Sequence, residues 1–334
     1  MPVGRGQAAP WIRSASADTA LALAWIPFAA AAFAVRNDGH QLVTMLEVLS
    51  AFSFVHQPLT LPLVYGDAEQ FAARRRLFVA GPFVLAAVIA LGLAVSFTIV
   101  AVVGGLWNME HTLMQRFGFA RIYGRKVGED DGRLERLLLL SWLACTLLWV
   151  AADARTPGRI ASLPLGQLNS ASLDVLASFR PYAIVLLIPT GSMAAVLTIR
   201  WCRRESARIR TGTNSWPKDV YLVSTAVMFS WAILVDPVAG LAGYAGAHAV
   251  EYFFIVDHRL TADHRPWARG QFFAGYLTVF AALYLSLREF APQFALTWAV
   301  LVFGGLHFLF DGFIWKRKSS PAMRDQPIAA KVNA

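Results

Sequence analysis

Apolar residues run along this chain in blocks close to twenty residues long, separated by short polar segments. They neither alternate nor recur on a single narrow face. A helix needs about 20 consecutive apolar residues to cross the hydrocarbon core of a bilayer. The blocks predict helices at 19–35, 41–65, 77–95, 98–120, 134–152, 181–200, 219–235, 238–257, 271–287 and 294–315. Only Ser96 and Thr98 mark a turn between the third and the fourth. In the second block Pro58 and Pro62 remove backbone donors, which predicts a bend there. The longest connection, 153–180, contains Ser-Ala-Ser-Leu-Asp and predicts a short re-entrant or surface helix. The first block reads as a retained helix rather than a cleaved signal, which would need a short basic start and a small-residue cleavage site. The division that follows is a cytoplasmic segment over 1–18, one transmembrane domain over 19–318 and a flexible cytoplasmic tail over 319–334.

Composition agrees with the pattern. Hydrophobic residues make up 57% of the 334 and charged residues 15%, against about a quarter charged in soluble domains. The expected fold is an all-α, polytopic membrane bundle of about ten transmembrane helices. Its net charge of +9 sits in short loops, which reads as topology and not as a nucleic-acid footprint. With the N-terminus inside, the inside segments hold Arg74–Arg76, Arg121, Arg125, Lys126, Arg133, Arg203, Arg204, Arg208, Arg210, Lys218, Arg259, Arg265, Arg269 and Lys316–Lys318. The outside segments hold mainly Arg36, Arg155, Arg159, Arg180 and Arg288. That bias predicts both termini in the cytoplasm, with a bacterial inner membrane as the expected location. Cys145 and Cys202 lie far apart and support neither a disulfide framework nor a thiolate metal site.

With such short loops, chemistry has to take place within the bilayer or just beneath it. Ionisable groups there are costly and are functional candidates by default. His56, His111, His248 and His307 fall inside expected spans, all on even-numbered helices running the same way. Each lies nine or ten residues before the cytoplasmic end, about 14 Å above that interface at 1.5 Å per residue. A shared depth in the cytoplasmic half points to one shared site. Carboxylates accompany three of the four: Glu110 precedes His111, Glu251 follows His248 at i+3, and Asp311 follows His307 at i+4. The last two spacings put both side chains on one helix face. Imidazole with carboxylate suits iron, zinc or manganese, and helical bundles build dinuclear centres from facing helices in this manner. Glycines one or two turns earlier, such as Gly104, Gly243 and Gly304, would let helices approach closely.

Around these, Asn108 and Gln115 share a face with His111 and are candidates to hold the second nitrogen of a ligating ring. Tyr252, at i+4 from His248, is a candidate donor or redox-active phenol. Arg116 could bind an anionic headgroup or reach to the interface. His258 and His264 stand in the twice-repeated Asp-His-Arg of 257–265 and would form a polar lid or add ligands. Glu47 lies nearer the outer face and His40 outside. The sequence has no P-loop, no GxGxxG and no HExxH.

This arrangement resembles, in kind, the histidine-rich multi-spanning membrane diiron oxygenases, hydroxylases and desaturases. The likeness rests on His56, His111, His248 and His307 with Glu110, Glu251 and Asp311. The HxxxH and HxxHH boxes of the standard members are replaced here by Glu110-His111, His248 with Glu251, and His307 with Asp311. The resemblance implies two iron ions on the cytoplasmic side, a hydrophobic or lipid substrate reached through the bilayer, oxygen activation and an electron-donor protein. Two other readings take the same residues. One is a proton-coupled transporter with Glu110, Glu251 and Asp311 as its relay. The other is a haem-binding electron-transfer protein. A metal acting as Lewis acid would instead give a hydrolase.

Overall fold

A computed structural model describes residues 11–161, 167–261 and 266–314, and every regular element among them is a helix. In chain order these are α1 (Ala15–Ala22), α2 (Trp25–Ala34), α3 (Gly39–His56), α4 (Thr60–Tyr65), α5 (Ala68–Ala73), α6 (Arg75–Val95), α7 (Phe97–Lys126), α8 (Arg133–Ala152), α9 (Thr156–Ala161), α10 (Gln167–Thr211), α11 (Trp216–Leu234), α12 (Pro237–Thr261), α13 (Pro266–Phe290) and α14 (Gln293–Ile314). Each of the ten apolar blocks is helical. Ser96 ends α6 and caps α7, its side chain accepting from Ile99 N at 3.3 Å. The second block breaks at Pro58: a single 3-10 turn, Gln57–Leu59, separates α3 from α4. In place of a loop, the long connection holds α9 and the first turns of α10, a 45-residue helix that runs on through Pro181 and Pro189.

Among the described residues, seven stretches are long and apolar enough to cross a membrane: Ala15–Ala34, Gly39–Tyr65, Arg75–Val95, Arg133–Ala152, Leu173–Thr211, Ala268–Phe290 and Phe294–Ile314. Their outward faces are apolar. In α6 only Phe78 is buried, while Phe83, Leu91 and Val95 are 75%, 68% and 74% exposed. Faces of this kind, on helix after helix, suit lipid and not water. The remaining three blocks, α7, α11 and α12, are long enough but carry polar side chains such as Glu110, Gln115 and Arg116, Lys218 and Asp219, or His248 and Glu251.

The core has two main parts. In one, Leu113 of α7, Leu138 and Leu139 of α8, Trp201 of α10 and Met228 of α11 pack together. In the other, Phe54 of α3, Phe78 of α6, Tyr276 of α13 and Phe310 of α14 do so. Helix α12 serves both: Tyr244 and Ala247 belong to the first, Tyr252 and Val256 to the second. His248 lies between those pairs, one residue past Ala247.

Candidate metal centre

Four helices bring the four intramembrane histidines together. The break at Pro58 makes His56 the last residue of α3 and Thr60 the first of α4. Both turn into the same buried space as His111 of α7, His248 of α12 and His307 of α14. Ring centres are 4.8 Å apart for His56–His248, 5.0 Å for His56–His307 and 4.8 Å for His111–His307. They are 5.3 Å apart for His111–His248 and 5.6 Å for His248–His307. His56, His248 and His307 are buried, and His111 is nearly so.

The polar accounting is unusual. A neutral imidazole carries one donor and one acceptor, and burying such an atom without a partner costs about 1–3 kcal/mol. Neither nitrogen of His56 nor either nitrogen of His248 has a hydrogen-bonding partner among the described residues. His111 Nε2 and His307 Nε2 face each other at 3.2 Å. Ligand atoms of His56, His248 and His307 lie within 4.8 Å of one another, and so do those of His111, His307 and Asp311. Asp311 Oδ2 stands 3.8 Å from His111 Nε2 and 3.9 Å from His307 Nε2. Four imidazoles and a carboxylate with unsatisfied buried nitrogens could hold a metal ion.

A hydrogen-bond chain fixes one side of the site. His307 Nδ1 lies 2.8 Å from Thr60 Oγ1, whose hydroxyl also donates to the Gln57 carbonyl at 3.0 Å. With that hydroxyl proton on Gln57, Thr60 accepts from Nδ1–H, leaving His307 Nε2 as the free acceptor. Tyr252 Oη donates to Asp311 Oδ1 at 2.9 Å and lies 3.1 Å from Thr60 Oγ1. Tyr252 thus orients the carboxylate. Thr60 is the site residue that sequence reasoning missed. Its only signal was its place two residues beyond Pro58.

The other expected site residues fall elsewhere. Glu251 is fully buried but turns to α7: Gln115 Nε2 donates to it at 3.1 Å, and Arg116 Nη2 is 3.5 Å away. Gln115 Nε2 is also 3.0 Å from the His248 carbonyl, so it holds the backbone of α12 and not a ring nitrogen. Arg116 neither reaches the interface nor meets a headgroup. It is 1% exposed, donates to the Ala22 carbonyl at 3.2 Å and lies 4.8 Å over the Tyr221 ring. Glu110 and Asn108 are exposed. Glu110 faces a cavity beside the cluster and does not join it. His258 is exposed on the last turn of α12, about 15 Å of helix rise beyond His248. Its neighbours Asp257 and Arg259 pair with Arg269 and Asp67 at 3.0 and 3.5 Å. His264 lies outside the described residues, as does the 319–334 tail. Glu47 pairs with Arg288 at 2.9 Å.

A half-open cavity of about 470 Å³ adjoins the cluster, reaching it at His111, Asp311 and Tyr252. Its walls are mainly apolar. No family model matches this chain, and no curated protein or solved structure is significantly similar to it.

Proposed function

We propose that this protein is a membrane-embedded, non-haem metal oxidoreductase that activates oxygen against a hydrophobic substrate. The observation that carries this reading is the cluster of four inward-facing imidazoles, with both nitrogens of His248 unpartnered. His56, His111, His248 and His307 are the proposed ligands, with Asp311 completing the set. Iron is the proposed metal, with zinc and manganese as the competing ions. When bound, it supplies the capacity to activate oxygen.

The spacing of the rings supports one ion where a pair was expected. An imidazole nitrogen sits about 2.1 Å from a bound ion, which puts the ring centre about 3.2 Å away. Two rings at tetrahedral or octahedral angles on one ion then have centres about 4.5–5.2 Å apart. Of the six ring pairs, three lie at 4.8–5.0 Å and two more at 5.3 and 5.6 Å. Two ions about 3.5–4 Å apart would spread the rings more widely. They would also need bridging carboxylates, and Glu251 is held by Arg116 while Glu110 is exposed.

The remaining groups have roles in this scheme. Thr60 holds the Nδ1 proton of His307, and Tyr252 holds Asp311. Glu110, at the cavity wall, is placed to take a proton from a bound substrate. The membrane location, ten spans and both termini in the cytoplasm complete the reading, and an electron-donor protein would supply reducing equivalents. A proton-relay role has less support, because only Asp311 of the three carboxylates stands against the imidazoles.

Elemental mass spectrometry on the detergent-purified protein tests the proposal. We expect close to one iron per chain, lost in His248→Ala and in His307→Ala. Two irons would restore the dinuclear form, and one zinc would favour hydrolysis. No metal after gentle purification and reconstitution would remove the metalloenzyme reading.

A further inference from the structure

The cavity beside the cluster is a groove with a direction. It follows α7 from Trp107 to Arg125, eighteen residues and so about 27 Å of helix rise. That is close to the roughly 30 Å depth of a hydrocarbon core. His111 and Asp311 reach it near the Trp107 end, and Arg125 lies about 21 Å of rise from His111. Between them the walls are mainly apolar, formed by Met114, Phe119, Ile122 and Ile255, with Gln115 the polar exception on α7. Charge is unequal along it: Glu110 faces the end near the cluster, while Arg125 lines the far end with Lys126 next to it in sequence. Two glycines face open space along it. A Cβ at Gly118 of α7 or at Gly312 of α14 would meet nothing within 4 Å, and both residues line the groove.

We infer that this groove holds one extended apolar chain ending in an anionic group, with the anion at Arg125 and the chain running to His111 and Asp311. The substrate class is therefore a long-chain anionic amphiphile that reacts far from its charged end. Glu110 disfavours the reversed pose, which would set two negative charges together. This inference rests on the metal site for the reaction, but not for the binding.

The test uses the detergent-purified full chain and a stearate brominated at its methyl end, with its methyl ester as the uncharged probe. Bromine quenches nearby tryptophan fluorescence, and the difference between the parent and Trp107→Phe isolates the ring that lines the groove. We expect saturable quenching by the acid, weakened at least about tenfold in Gly118→Phe and in Gly312→Phe. Arg125→Glu should weaken the acid by a similar factor and leave the ester nearly unchanged. Unchanged quenching in both glycine variants would overturn the groove as the binding site. Equal effects of Arg125→Glu on acid and ester would overturn the anionic end. Metal is measured on the same samples. A metal-free parent that still shows the expected pattern would keep the chain site while removing the oxidoreductase reading, so the two failures are separable.

Discussion

Thr60 shows how much a single hydroxyl can decide. A ligating imidazole needs one nitrogen free for the metal, and a partner on the other nitrogen sets which one is free. Here that partner is Thr60 Oγ1, 2.8 Å from His307 Nδ1. Thr60→Val keeps the shape and removes the acceptor, so His307 loses its tautomer preference. Metal affinity should fall by about tenfold to a hundredfold, read by chelator competition, and Thr60→Ser should recover most of it. A merely structural threonine would not give that rescue. The four histidines were legible in the sequence because they share a depth on parallel helices. Asp311 was legible from its i+4 spacing. Thr60 was not, because its approach to His307 depends on how sharply the chain turns at Pro58. Glu251 misled for a related reason. Its i+3 spacing from His248 fixes a broad face, but Arg116 and Gln115 on a neighbouring helix decide which way within that face it turns.

At the scale of elements, seven apolar spans were legible because a lipid-facing helix repeats one simple composition, while α7, α11 and α12 are helices of mixed composition. What held their polar ends together was not. Lys218 of α11 is fully buried. It donates to Glu129 Oε1 at 2.7 Å and Glu205 Oε1 at 3.0 Å, and lies 3.5 Å from Glu135. Arg204 and Arg208 of α10 complete the network, pairing with Glu135, Glu205 and Glu129. It ties α8, α10, α11 and the α7–α8 loop at one end of the bundle. Residues so far apart in sequence carry no local signal of pairing. Lys218→Met would leave three buried carboxylates short of a cation, a change that typically costs about 3–5 kcal/mol. The expected result is a much lower denaturation midpoint in detergent, with metal content of the surviving folded protein unchanged. The network also sets a pH response. Burial acts to raise the Glu129 carboxyl, but hydrogen bonds from Lys218 and Arg208 outweigh it and hold the group below its ordinary value of 4.5. A folded value below the unfolded one stabilises fully above that range and is lost as the pH falls through it. The Glu129 contribution, read as the difference in midpoint between the parent and Glu129→Gln, should therefore hold from neutrality to about pH 5 and shrink below 4.5. Glu129→Gln should start lower and drop less.

For the whole molecule, the apolar outer faces suit lipid, and the proposed orientation rests on the basic residues. Connections that would share the inner side, at 66–74, 127–132 and 212–215, are flanked by Arg74–Arg76, Arg125, Lys126, Arg133, Arg208 and Arg210. Those on the other side carry or are flanked by Arg36, Arg155, Arg159, Arg180 and Arg288. In the proposed orientation the Arg125 end of the groove lies at the cytoplasmic face. An anionic headgroup from the inner leaflet would meet Arg125 there while its chain slid toward His111. The arrangement can be checked without any assay of chemistry. In a Cys145→Ser, Cys202→Ser background, cysteines are introduced one at a time at the exposed positions Asn37, Ala154, Asp130 and Thr213. In right-side-out membrane preparations an impermeant maleimide should label the first two at once and the last two only after permeabilisation. Labelling of Asp130→Cys before permeabilisation would invert the bundle. The groove's charged end would then open to the outer leaflet, and an inner-leaflet amphiphile could no longer be its source of substrate.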